Sequence, residues 1–156
     1  MSAVVSLGSN RGDRLAHLRA GLSILARRFE VTATSPVYET APVGVGDQPP
    51  YLNCVAVLDS DDPEAVLAAA QDAEQSRGRL RSRRWGPRTL DVDVVSVDAL
   101  IVDDPRLTLP HPRAHERAFV LVPWLDVDPE AVVPGRGPVR SLVRAVGTQG
   151  LRRWET

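Results

Sequence analysis

The chain contains no lysine; all 19 of its basic residues are arginine. That absence removes the lysine of the Walker-type phosphate loop, Schiff-base chemistry and the strand lysine of protein kinases as mechanisms. Any phosphate bound here is therefore bound by arginine. Compositional bias accounts for missing lysine, but not for where the arginines gather. Cysteine is nearly absent too: Cys54 is the only one, which excludes an internal disulfide and every CxxC-type metal or redox site. Lying inside "YLNCVAVL", it reads as a small buried residue rather than a nucleophile. No apolar run approaches the length of a bilayer span, and "MSAVVSLGSN" lacks the basic and long apolar regions of a signal peptide, so a cytoplasmic location is expected. A net charge of -1 gives no global pull toward nucleic acid or membrane. The 156 residues suit one domain with a real core, and 1–156 is read as a single domain.

What is present reads as alternating strands and helices. Val4 to Leu7 is a short buried strand ended by the turn "GSNRGD". Leu15, Leu18, Leu22, Leu25 and Phe29 then recur at helical spacing. Val31 to Tyr38 is a β-branched, threonine-rich strand, followed by the irregular loop "TAPVGVGDQPP". In the strand Tyr51 to Leu58, period two places Tyr51, Asn53, Val55 and Val57 on one face and Leu52, Cys54, Ala56 and Leu58 on the other. Asp62 and Pro63 start a helix that turns Val66, Leu67, Ala70 and Ala73 inward and runs to about Gly78. After an arginine loop from Arg77 to Arg88, Leu90 to Val97 is the fourth strand. Strand, helix, strand, strand, helix, strand is the split βαβ order. The expected fold class is α+β, a ferredoxin-like sandwich with a mainly antiparallel sheet and helices on one face. The tail "RLTLPHPRAHERAFVLVPW" predicts a strand tip, a proline loop and a short helix, and a last amphipathic helix follows from about Val139 to Val146.

Chemistry concentrates in "RWGPRTLDVDVV", Arg84 to Val95. Residues two apart in a strand share a face, so Asp91 and Asp93 project together and repel each other unless a cation lies near. A hard divalent ion that takes one or two carboxylates plus phosphate and water fits that pair, which points to magnesium. A bare DxD is equally the solvated face of an edge strand or a pair of arginine partners. The neighbours weigh against those readings: Arg77, Arg79, Arg81, Arg83, Arg84 and Arg88 crowd the loop just upstream. Guanidinium forks match phosphate oxygens, and such a loop can close over a polyphosphate. On their own, those arginines would also suit a solvated or nucleic-acid-facing loop. A second basic cluster holds Arg106, His111, Arg113 and Arg117, with Pro110 and Pro112 stiffening His111. The pattern alone does not separate His111 from His115. Tyr51 and Asn53 on one strand face suit a flat heterocycle, by stacking and hydrogen bonding, but the pair also occurs on ordinary sheet surface.

These segments together resemble the 6-hydroxymethyl-7,8-dihydropterin pyrophosphokinase (HPPK) family of folate biosynthesis. The resemblance runs through "SLGSNRGDR", "YETAPVG", "DQPPYLN", "GRLRSRRWGPRTLDVDVV" and "LTLPHPRAHERAFVLVP", in the family's order. It implies transfer of the β,γ-diphosphate of ATP to the pterin hydroxymethyl group, giving AMP and the pterin diphosphate. It implies two magnesium ions on Asp91 and Asp93. It matches Thr40, Pro42, Val43, Tyr51, Asn53 and Phe119 to the pterin pocket, with Tyr51 and Phe119 on either side of the ring. Glu74, Arg81, Arg106, Thr108 and Arg117 match ATP-binding positions, Trp85 is matched with both substrates, and Arg79, Arg88 and His111 match catalytic ones. Ala41 stands where a second proline is common, and Pro112 where some members have tyrosine. A monomer is expected, with ATP and the pterin as its partners and neither nucleic acid nor membrane.

Readings from other classes remain on these residues. An RNA-recognition module shares the sheet plan and a basic loop, but the chain has only seven aromatics and no RNP1-like pattern. A magnesium-dependent nuclease would keep the aspartates and change the substrate, and an inactive pterin-binding scaffold would keep only the fold.

Overall fold

A computed structural model describes residues 1–41, 49–77 and 89–154. Strand β1 (Ala3–Ser9) is followed by helix α1 (Arg14–Arg28), which Asp13 starts by accepting the Ala16 amide at 3.1 Å. The predicted strand at 31–38 is two strands, β2 (Val31–Thr34) and β3 (Tyr38–Thr40). Between them, Pro36 has no N–H to give a ladder, and Ser35 bridges the break: its amide donates to the Val55 carbonyl and its hydroxyl accepts from the Val55 amide. Next come β4 (Tyr51–Leu58) and α2 (Pro63–Ser76), the latter capped by Asp62 at the Glu64 and Ala65 amides as its sequence predicts. Strand β5 (Asp91–Val97) leads to the hairpin β6 (Val102–Asp104) and β7 (Leu107–Leu109). The chain closes with α3 (Ala118–Val127), the short pair β8 (Val132–Val133) and β9 (Gly137–Pro138), α4 (Val139–Val146) and β10 (Leu151–Arg153).

The main sheet has the order β10-β3-β4-β1-β5, with β2 also paired to β4, and every pairing is antiparallel. Without β10 this is the split βαβ order, so the α+β class holds. Strand alternation sorts the core as period two predicts: Leu52, Cys54, Ala56 and Leu58 join Leu18, Leu25, Val66 and Ala70 of α1 and α2. Val55 joins Val120, Leu121 and Trp124 of α3 on the opposite face. Helices therefore cover both faces, where the expectation had them on one. The residues beyond β7 supply this second layer, because α3 is apolar nearly all round and can only be stable between the sheet and α4.

The register of β1 against β5 shifts between Val4 and Val5, leaving Val95 as an extra residue. Such a bulge re-aims the side chains around it. Val92 and Val94 face α1 and α2, Val95 faces α3, and Val97 returns to the first core. Asp91 and Asp93 precede the bulge and share the α3 face with Val95.

Candidate active site

The site is built on that α3-side face, at the end of the sheet where β1 stops. Gly8 of β1 lies opposite Asp91 on one side and opposite Asn53 on the other, and Asn53 in turn lies opposite Tyr38. Residues directly opposite in a ladder share a face. Asp91, Gly8, Asn53 and Tyr38 thus form one row across four strands, flanked by a row with Asp93, Ser6 and Val55 and by a pair of Tyr51 and Thr40. Two strand spacings put the backbones of Asp91 and Asn53 roughly 9–10 Å apart. Gly8 is the floor between a carboxylate side and an aromatic and amide side.

Gly8 has no room for anything larger. A Cβ there would lie 2.6 Å from Nδ2 of Asn53 and 3.5 Å from Cδ1 of Tyr51. Asn53 is only 4% exposed, and its Oδ1 accepts the Thr40 hydroxyl at 3.2 Å. Of the residues matched to the pterin pocket, Thr40, Tyr51 and Asn53 come together, and Pro42 and Val43 lie outside the described residues. Gly8 itself was missed. Its signal was a glycine inside a strand pattern, which marks a close approach of another group.

The layer above the aspartates is delivered by the segment from His111 to Phe119. Its first residue is tied to the strand, since the His111 amide donates to the Val95 carbonyl at 2.8 Å. Arg117 precedes α3 and reaches back, placing Nη1 3.9 Å from Oδ2 of Asp93 and its guanidinium 5.5 Å from the Phe119 ring. His111 accepts the Arg113 amide at Nδ1, 3.2 Å away, so a neutral ring carries its proton on Nε2. Burial lowers its pKa most; Asp93 opposes that shift, and Arg117 and Arg113 add to it. At neutral pH, His111 is therefore an uncharged Nε2–H donor. His115 instead pairs with Glu116 at 3.5 Å.

Glu74 is nine-tenths buried, and its Oε2 accepts the Val92 amide at 3.0 Å. Among the described residues β5 is a sheet edge, so that amide has no strand partner there on its outer side, and the carboxylate supplies an acceptor between the two aspartates. Arg106 is turned toward Glu64 at 2.9 Å and Asp104 at 3.7 Å, and Thr108 donates to the Asp104 carbonyl at 3.2 Å. Glu64 sits ten residues before Glu74, about 15 Å along α2, so Arg106 is oriented to the far end of that helix. The predicted residues Arg79, Arg81, Trp85 and Arg88 lie outside the described residues. The described ends of that segment are joined: the Thr89 hydroxyl donates to the Arg77 carbonyl at 2.5 Å, and Arg77 Nε donates to His17 Nδ1 at 3.0 Å. Burial and the Arg77 charge lower the His17 pKa, against the raising effect of Asp13. Cys54 is fully buried with its thiol pushed up to about 12 by desolvation, which removes it as a nucleophile.

Among the described residues, no three His, Cys, Asp or Glu side chains gather as a metal cluster. Asp91 and Asp93, sharing one face, are the carboxylates that could hold a cation here. Two hard carboxylates without nitrogen or sulfur partners fit a cation that fills its remaining positions with phosphate and water, and do not fit zinc. Carboxylates on one side, a neutral imidazole donor and Arg117 above them, and a Tyr, Asn and Thr recess beside them suit phosphoryl-type transfer to a flat polar acceptor.

Comparison with known proteins agrees. The profile of the 7,8-dihydro-6-hydroxymethylpterin-pyrophosphokinase (HPPK) family matches residues 4–129. A 2-amino-4-hydroxy-6-hydroxymethyldihydropteridine pyrophosphokinase from Mycobacterium tuberculosis is 44% identical over 152 residues, covering 90% of this chain and 80% of its own. The enzymes of that name from Methylorubrum extorquens and Pseudomonas aeruginosa are each 39% identical, with 98% and 98% and with 96% and 94% of the two chains covered. Among solved structures, wild-type Plasmodium falciparum HPPK-DHPS with pteroate superposes with a TM-score of 0.74 at 12% identity, over 97% of this chain. This chain spans 47% of that longer one, and the likeness is one of fold. The chain belongs to the HPPK family. It is a pterin pyrophosphokinase of folate biosynthesis, and kinase chemistry of this family uses ATP.

Proposed function

We propose that the chain transfers the β,γ-diphosphate of ATP to 6-hydroxymethyl-7,8-dihydropterin, with two magnesium ions held by Asp91 and Asp93. The observation that supports this reading is the row Asp91, Gly8, Asn53, which sets a carboxylate side suited to a cation and an amide side suited to a heterocycle on one floor. The pterin hydroxymethyl oxygen forms a bond to the β-phosphorus, the bond from that phosphorus to the α,β-bridging oxygen breaks, and AMP leaves with that oxygen. Bound magnesium would neutralise phosphate charge as it shifts toward AMP.

The protein groups position and stabilise. Asn53 offers an amide held by Thr40, and Tyr51 and Phe119 come from facing layers, strand β4 and helix α3, suited to stacking on the two sides of a ring. Arg117 stands over both the ring side and the carboxylate side, so its charge can serve a phosphate oxygen while its plane rests on Phe119. His111 donates from Nε2 without a charge change. No described carboxylate or imidazole is placed as a base for the hydroxyl in this reading, and its proton leaves to solvent as the new bond forms. Arg79, Arg81 and Arg88 provide the remaining phosphate contacts, with Glu74 and Thr108 bounding the nucleotide, and Arg106 would have to leave Glu64 to join them.

The test uses purified protein with magnesium, ATP and 6-hydroxymethyl-7,8-dihydropterin. Pterin-dependent formation of AMP and a pterin diphosphate is expected. ADP as product, or no turnover beside tight RNA binding, overturns it.

A further inference from the structure

Two side chains at the end of β1 have no hydrogen-bond partner among the described residues although they are buried: Ser9, 0% exposed, at Oγ, and Asn10, 1% exposed, at both Oδ1 and Nδ2. Buried polar atoms in native proteins are almost always paired, and an orphaned carboxamide lacks both an acceptor's donor and a donor's acceptor. Their place in the sheet separates the two. Ser9 follows the face of Leu7, toward α1 and α2; Asn10 is the first residue past β1, and alternation carried on from Ser6 and Gly8 would turn it to the site face. The last rungs of the ladder pair Ser9 with Leu52 and Gly8 with Asp91. Carried one residue further, that register would bring Asn10 level with Tyr51 on one side and with Thr89, two residues before Asp91, on the other. It lies at the seam between the heterocycle recess and the carboxylate side.

We propose that Asn10 is a further substrate-binding residue of this site, its carboxamide taking a paired donor and acceptor edge of the pterin. The chemistry selects the ligand group. A phosphate would satisfy only Nδ2 and a cation only Oδ1, leaving the other atom buried and unpaired. A ring edge with an N–H beside a carbonyl or ring nitrogen satisfies both, as Asn does in bidentate pairing with a purine edge. Adenine offers such an edge as well, but alignment with Tyr51 rather than with the nucleotide-side groups favours the pterin. Asn53, two strand residues away on the same recess, has its Oδ1 already engaged by Thr40, so Asn10 is the amide with both halves available.

The inference rests on the pterin pyrophosphokinase reading, and one experiment separates the two. Binding of 6-hydroxymethylpterin and of a non-hydrolysable ATP analogue is measured with wild type, Asn10→Leu and Asn10→Asp, alongside thermal melts. Failure of wild type to bind the pterin defeats the pterin reading itself. If wild type binds it, Asn10→Leu, which keeps the shape and removes both polar atoms, should weaken the pterin about 10- to 100-fold and leave the ATP analogue unchanged. Its melting temperature should equal or exceed that of wild type, because an unpaired buried amide has been replaced by an apolar group. Asn10→Asp, which keeps an acceptor, should lose less. A lower melting temperature with unchanged pterin affinity makes Asn10 a scaffold residue and overturns the inference, as does weakening of the ATP analogue alone. Should the variants not fold, the Asn10 side-chain amide resonance of wild type decides: a shift on adding the pterin but not the ATP analogue supports it, and any other result defeats it.

Discussion

Replacing Gly8 with alanine adds one methyl group at the point where the two halves of the site meet. Gly8 has no left-handed backbone angle, so the effect comes from the Cβ alone. At 2.6 Å from Asn53 Nδ2, that atom forces the amide back by about 0.8 Å to reach the 3.4 Å limit of ordinary contact. Asn53 is too buried to swing into solvent, so it yields its bond to Thr40 or strains β4. Overpacking of this kind costs ~1–3 kcal/mol, and a displaced amide no longer meets its ligand. The expected outcome is pterin binding weakened about 10- to 100-fold, with an ATP analogue affected less than about threefold. Calorimetry or pterin fluorescence reads both. The argument is sharpened by a double-mutant cycle with Asn53→Ala. With Asn53 truncated, the remaining close neighbour of the new methyl is Tyr51 at an ordinary 3.5 Å, so Gly8→Ala should then do almost nothing further. Equal losses in both backgrounds, or none in the first, refute the close-approach reasoning.

Asp93→Ala should abolish turnover and leave the far-UV circular dichroism of the folded chain intact; an active variant contradicts its assignment as a cation ligand. Glu74→Ala leaves the Val92 amide of an edge strand without its acceptor and should lower stability by ~1–3 kcal/mol in urea unfolding, while Glu74→Gln, which keeps an acceptor oxygen, recovers most of it. An undiminished midpoint for Glu74→Ala would show that the bond contributes nothing. His17 has its folded pKa below the ordinary 6.5, so the unfolded chain binds that proton first as pH falls. Its stability contribution is present above about 6.5 and is lost as pH drops below that value toward the folded pKa. Melts of His17→Asn, which keeps an acceptor near Nδ1 but does not titrate, should fall less steeply between neutral and mildly acid pH than those of wild type; parallel curves refute the role.

Local pattern was enough to read much of this protein. Period two in "YLNCVAVL" assigned each side chain to its face, and the Asp62-Pro63 start and the 139–146 helix appear where their capping and apolar spacing predict. These features rest on neighbours within one turn or one strand, where backbone geometry and propensity act directly. The DxD pair and the family resemblance likewise needed only residues close in sequence. By contrast, three things came from contacts between segments far apart. The strand breaks at Ser35 and Pro36, where Ser35 takes both backbone groups of Val55 across the sheet and Pro36 has no amide to give a ladder. The helices on the second face exist because an all-round apolar α3 must be covered on every side. Gly8 and Asn10 gain meaning only from what β4 and β5 bring beside them, since a glycine or an asparagine at a strand end carries no periodic signal. The shared face of Asp91 and Asp93 was thus legible in the sequence alone. The distance across the sheet to Asn53, and the choice of His111 over His115 beside Asp93, were decided by strand register and the return of the 111–119 segment, because side chains meet across a sheet according to pairing that no single strand encodes.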